Sequence, residues 1–100
     1  MQYVYNIIYD SIIMINFEDR QKTKILRELV TADKENSYRS IGQLAKKFDI
    51  PRSSVRGRMS EMRIRGYVES IPLPDVESCF KITEDGRTHL EKFTVKIEVQ

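Results

Sequence analysis

Tryptophan is absent from the chain, and cysteine and histidine occur once each, as Cys79 and His89. A single cysteine excludes an internal disulfide framework and fits a reducing compartment. One cysteine and one histidine cannot furnish the ligands of a structural zinc within one chain. The four glycines stand isolated, so no glycine-rich loop exists to cradle a phosphate. His89, beside Leu90, has the setting of a surface or packing residue, and no second titratable motif accompanies it. These absences argue against an enzyme. They also leave no basis for a cofactor or a metal.

Long hydrophobic runs are lacking too. The most apolar stretch, "MQYVYNIIYDSIIMINF" (residues 1–17), contains Gln2, Asn6 and Asp10 and has no basic leader. It falls short of the span of about 20 residues a membrane helix needs. Neither a signal peptide nor a membrane partner is expected, and the protein is expected to be cytoplasmic. One hundred residues, 40% hydrophobic and 32% charged, suit one globular domain with one core.

Net charge is only +2, yet its distribution is uneven. Residues 1–38 carry five basic and six acidic side chains, and residues 67–100 carry four and seven. Between them, residues 39–66 hold eight basic side chains (Arg39, Lys46, Lys47, Arg52, Arg56, Arg58, Arg63, Arg65) against Asp49 and Glu61. A block with net charge +6 between acidic flanks is a localised footprint for a polyanion.

Periodicity places elements around this block. Residues 1–17 read as a strand by their Ile, Val and Tyr content. They read as a helix by the four-residue spacing of Gln2, Asn6 and Asp10, so both assignments stand. Residues 18–32 form a first helix, with Ile25, Leu26, Leu29 and Val30 as its apolar stripe. Ser40 and Gln43 make a capping-box pattern for a second helix, whose core face is Ile41, Leu44, Ala45 and Phe48. Pro51 ends that helix by disfavouring helical geometry at Ile50. A third helix spans residues 52–65 and stops at Gly66, in the position of a C-cap. Two short strands, residues 67–73 and 78–83, flank a turn at Pro74 and Asp75. Thr83, Glu84 and Asp85 open a short last helix through Leu90 and Phe93. The alternation in "TVKIEV" predicts a closing strand or tail over residues 94–100.

At 100° per residue, the third helix turns Val55, Met59 and Met62 toward a core. Its opposite face holds Ser53, Gly57 and Ser60, with Ile64 at the far end. Arg52, Arg56 and Arg63 form one flank; Ser54, Arg58 and Arg65 form the other. An internal glycine costs a helix roughly 1 kcal/mol relative to alanine. Gly57 therefore marks a close approach by a partner, close packing against another helix, or no functional need at all. Five arginines against Glu61 depart from the mixed signs of a merely solvated face.

The segment "SIGQLAKKFDIPRSSVRGRMSEMRIRGYVE" resembles the DNA-binding region of the winged helix-turn-helix superfamily, as found in small microbial transcriptional regulators. "ITEDGRTHLEKF" is similar to the segment that follows the wing in many of them. The resemblance covers residues 18–93 and implies an α+β fold: a three-helix core, a two-stranded wing, a further helix and a terminal strand. It implies sequence-specific binding of double-stranded DNA by Arg52, Ser53, Ser54, Arg56, Gly57, Arg58, Ser60, Arg63 and Arg39, with Lys46 and Lys47 either on the DNA backbone or merely solvated. The wing offers only Lys81 against Asp75 and Glu77, so it is not expected to grip the duplex. Residues 1–17 carry more apolar surface than a small core requires. A homodimer is therefore expected, with Tyr5, Ile8, Ile12 and Ile13 at the interface. The alternative is a winged helix used for protein–protein contact, since a fold does not fix a function. No effector is identifiable.

Overall fold

The computed structural model describes residues 17–74 and 76–98, with side chains for 20–74 and 76–92. Tyr5, Ile8, Ile12 and Ile13 lie outside the described residues, as does Asp75 of the turn.

Helix α1 (Phe17–Lys34) is followed by a two-residue strand β1 (Arg39–Ser40), then helices α2 (Ile41–Phe48) and α3 (Arg52–Ile64). Strands β2 (Val68–Ile71) and β3 (Cys79–Ile82) form the hairpin, and α4 (Glu84–Glu98) closes the order. The three strands make one antiparallel sheet in the order β1-β3-β2. Arg39 lies opposite Phe80 and Ser40 opposite Cys79, while Val68 lies opposite Ile82 and Ile71 opposite Cys79. β1 was not expected from sequence. It ties the hairpin to the start of α2.

The core is one cluster in which every expected stripe takes part. Ile25, Leu26 and Leu29 of α1 meet Leu44 of α2 and Val55, Met59 and Met62 of α3. Val68, Phe80 and Ile82 cover it from the sheet, with Val30, Ile41, Phe48 and Leu90 packed at its margin. Burying each such side chain stabilises by about 1.5–3 kcal/mol before conformational entropy is set against it.

Local chemistry sets the joints. At the start of α2 the Gln43 amide donates to Ser40 Oγ (3.1 Å) and the Ser40 amide donates to Gln43 Oε1 (2.8 Å), a complete capping box. α2 ends on Asp49 in the left-handed region (φ 55°), which Asp tolerates better than most residues. Pro51 then caps α3 with its carbonyl, which accepts from the amides of Ser54 (3.0 Å) and Val55 (3.1 Å). α3 ends in a Schellman-type closure: Gly66 takes φ 81°, and the Tyr67 amide donates to Met62 O at 2.8 Å.

The segment "ITEDG" joins this closure to α4. The Thr83 hydroxyl donates to Gly66 O (2.6 Å) and accepts from the Gly86 amide (3.0 Å), while the Thr83 amide donates to Tyr67 O (3.0 Å). A β-carbon at residue 86 would run into the Tyr67 carbonyl, so only glycine fits the crossing. Arg87 pairs with Asp33, and His89 stacks on Tyr67 with ring centroids 4.4 Å apart.

The expected terminal strand is a correction. Helix α4 continues to Glu98, so most of "TVKIEV" is helical. Lengthening a capped helix that meets no Gly or Pro after Gly86 is easier than starting a strand, which needs a partner edge. Six alternating residues were too few to separate the two periods. The hairpin strands are also shorter than expected, and residues 72–74 and 76–78 lie outside them.

Candidate nucleic-acid interface

α3 is amphipathic in the way its sequence requires. Val55, Met59 and Met62 are fully buried, while Ser53, Ser60 and Ile64 are exposed on the other side. Gly57 lies between them in the open: a β-carbon built there meets nothing within 4 Å. Close packing against another helix among the described residues therefore does not explain the glycine. Ile64, 84% exposed, is the most exposed large apolar residue among the described ones.

The arginines divide into two groups. Arg52, Arg56 and Arg63 are exposed along one flank, and Arg65 is exposed at the C-terminal end. Arg58 behaves differently. Its side chain is only 15% exposed, and its Nε lies 3.4 Å from Glu61 Oε1. Lys22 of α1 approaches the same oxygen at 3.0 Å. The Lys22 ammonium, helped by Arg58 and Arg65 and opposed by partial burial, holds the Glu61 carboxyl below its ordinary value. Arg58 thus belongs to the joint between α1 and α3. The i,i+3 spacing of Arg58 and Glu61 was readable in the sequence; the third partner was not.

Arg39 is likewise turned inward. Its side chain is 18% exposed, and its Nε donates to Glu28 Oε2 at 2.9 Å. Its other nitrogens reach Glu35 Oε1 (3.2 Å), Ser37 Oγ (3.2 Å) and Tyr38 O (3.0 Å). The bond to Glu28 raises the Arg39 pKa above its ordinary value, so the guanidinium stays charged. Lys47 stands 3.6 Å from the other Glu28 oxygen but remains 55% exposed, and Lys46 is exposed. Ser54 is half-buried beside the α2–α3 turn. Between the Arg56 flank and the sheet, a cleft of about 280 Å³ is lined by Ile41, Arg56, Met59, Ser60, Arg63 and Phe80.

What remains outward on α3 is a central line with little side chain and a cationic border. Burial, with Glu77 nearby, pushes the Cys79 thiol up, which disfavours the thiolate a nucleophile needs. Among the described residues no group of three or more His, Cys, Asp or Glu could hold a metal ion, and no helix is long and apolar enough to cross a membrane.

No family model matches the chain, and no curated protein does. Solved structures do. The transcriptional regulator BldR from Sulfolobus solfataricus superposes with a TM-score of 0.68 at 20% identity, over 98% of this chain and 73% of BldR. A point variant of ZitR from Lactococcus lactis superposes with a TM-score of 0.60 at 14% identity, over 78% of this chain. The chain spans about half of ZitR, 51% of its length. At these identities the likeness is one of fold. The fold is a winged helix-turn-helix, an α+β arrangement in which α2 and α3 are the helix-turn-helix and β2–β3 the wing.

Proposed function

We propose that the protein binds double-stranded DNA sequence-specifically as a homodimeric transcriptional regulator, with α3 in the major groove. The observation that carries this reading is the outward face of α3. Ser53, Gly57 and Ser60 leave room along its centre, and exposed Arg52, Arg56 and Arg63 border it. A major groove about 12 Å wide admits a helix, and guanidinium groups on its border reach phosphates and guanine edges. Ser54, Lys46 and Lys47 supply further contacts at the helix start and along the backbone. Arg39 and Arg58 keep the scaffold in shape and are assigned no direct contact. The likeness to a transcriptional regulator, BldR, supports the same reading.

One helix-turn-helix contacts few base pairs, and two-fold pairing is the usual route to a longer site. We assign the pairing to residues 1–17, with Tyr5, Ile8, Ile12 and Ile13 in the interface. The binding partner implies residence in the cytoplasm, at the nucleoid. Titrating random-sequence duplex at rising salt tests the DNA reading: affinity should fall linearly on logarithmic axes. Absence of binding at low salt would remove it in favour of a protein-contact role. Selection from a random duplex pool then yields the site, and sedimentation at micromolar concentration decides between dimer and monomer.

A further inference from the structure

The N-terminal arginine of α3 is already occupied. Arg52 Nη2 donates to Glu77 Oε2 at 2.9 Å, joining the first residue of α3 to the wing loop 25 positions later. Both side chains are well exposed, 54% and 39%. The seat is shaped by Gly42 near the start of α2. A β-carbon there would stand 2.5 Å from Arg52 Nη1 and 3.3 Å from Glu77 Oε1. Three elements thus converge on one ion pair, and the missing side chain at residue 42 lets it lie against the helix-turn-helix.

We propose that Glu77 is an internal competitor for Arg52, a carboxylate standing where a DNA phosphate would otherwise be bound. The inference rests on the DNA-binding reading of α3. A carboxylate and a phosphate oxygen offer a guanidinium the same chemistry, so the two exclude each other at Nη2. Binding duplex must first release Glu77, and the released carboxylate then lies beside a polyanion. The wing, acidic at this point, acts on Arg52 rather than on the minor groove. Its effect is to hold down affinity for DNA of any sequence and to reduce the counterions released on binding.

The experiment compares the full chain with Glu77→Gln, Arg52→Gln and the double variant, using fluorescence anisotropy on random-sequence duplex over a salt series. Glu77→Gln should bind about two- to five-fold more tightly at low salt, the range that an exposed ion pair sustains. The slope of log K against log salt should steepen by up to about 0.9, because no freed carboxylate is left beside the duplex to take up a cation on binding. In the Arg52→Gln background the Glu77→Gln gain should vanish. A gain that persists there in full would mean that Glu77 acts only by general repulsion, and would overturn the proposal. So would an unchanged affinity and slope, or a weaker Glu77→Gln, which would make Glu77 a support that positions Arg52. Failure of the parent chain to bind duplex at low salt is a separate outcome and overturns the DNA reading itself.

Discussion

Replacing Gly57 separates what α3 needs as a helix from what it needs as a binding surface. The residue is mid-helix, and the space its β-carbon would enter is empty to 4 Å. Gly57→Ala therefore introduces no clash and recovers the helix-propensity deficit of about 0.8–1.0 kcal/mol. For a domain of this size that raises Tm by roughly 3–8 °C. Gly57→Leu gains most of the same stabilisation, because leucine is also a good helix former and its side chain points into solvent. Binding should move the other way. A leucine on the line between Ser53 and Ser60 fills the space reserved for the floor of the groove. Forcing a side chain into occupied space costs about 1–3 kcal/mol, or about 5- to 160-fold in Kd. Thermal unfolding by circular dichroism and anisotropy on a selected duplex read the two effects independently. A Gly57→Leu protein that is sturdier and binds as tightly as the parent would mean that α3 does not dock on this face. A Gly57→Ala protein with lowered Tm would refute the open surface.

Three further outcomes are expected. Gly86→Ala should destabilise by about 1–3 kcal/mol in denaturant unfolding, because the new β-carbon meets the backbone carbonyl of Tyr67, which cannot swing aside like a side-chain end. Arg39→Gln should cost about 1–3 kcal/mol of stability, since Glu28, 9% exposed, would keep only Lys47 at 3.6 Å; duplex affinity of the folded fraction should fall less than for Arg56→Gln. The Glu61 carboxyl titrates below its ordinary 4.5 in the folded state, so its contribution is present above that pH and is lost as pH falls through the lower folded value. A Glu61→Gln variant should accordingly show a flatter decline of Tm through the acid range than the parent.

Much of the fold was legible because its signals are local and repeated. The stripes of α1, α2 and α3 are periodic over two or more turns, and each buried most of the residues its period selected, with Val30, Ile41 and Phe48 half-buried at the margin. The capping box at Ser40, the Pro51 stop and the Gly66 closure depend on neighbours within five residues, and all formed. The failures share a cause. β1 is two residues long and exists only because β3 lies beside it, so no period could announce it. "TVKIEV" satisfied a strand pattern, but helix continuation from Thr83 decided its state.

The charged residues show the same division more sharply, and it bears on function. Net charge +6 over residues 39–66 reads as eight equivalent cations, yet the fold grades them. Arg39 and Arg58 are drawn into pairs with Glu28 and Glu61, whose partial burial makes an unpaired carboxylate costly. Arg52 is held by a carboxylate that sequence distance hid. Arg56 and Arg63 stay exposed on α3 with no carboxylate pair resolved among the described residues. Composition can therefore indicate that a polyanion is the partner, but not which arginines would meet it. That choice is made by acidic residues on α1, on α3 itself and on the wing, which subtract cations from the surface one pair at a time. Neutralising Glu28 or Glu61 should release a cation by loosening the scaffold, whereas neutralising Glu77 should release one while leaving the core intact. Of the three, only the Glu77 change should alter the salt slope of duplex binding without altering Tm.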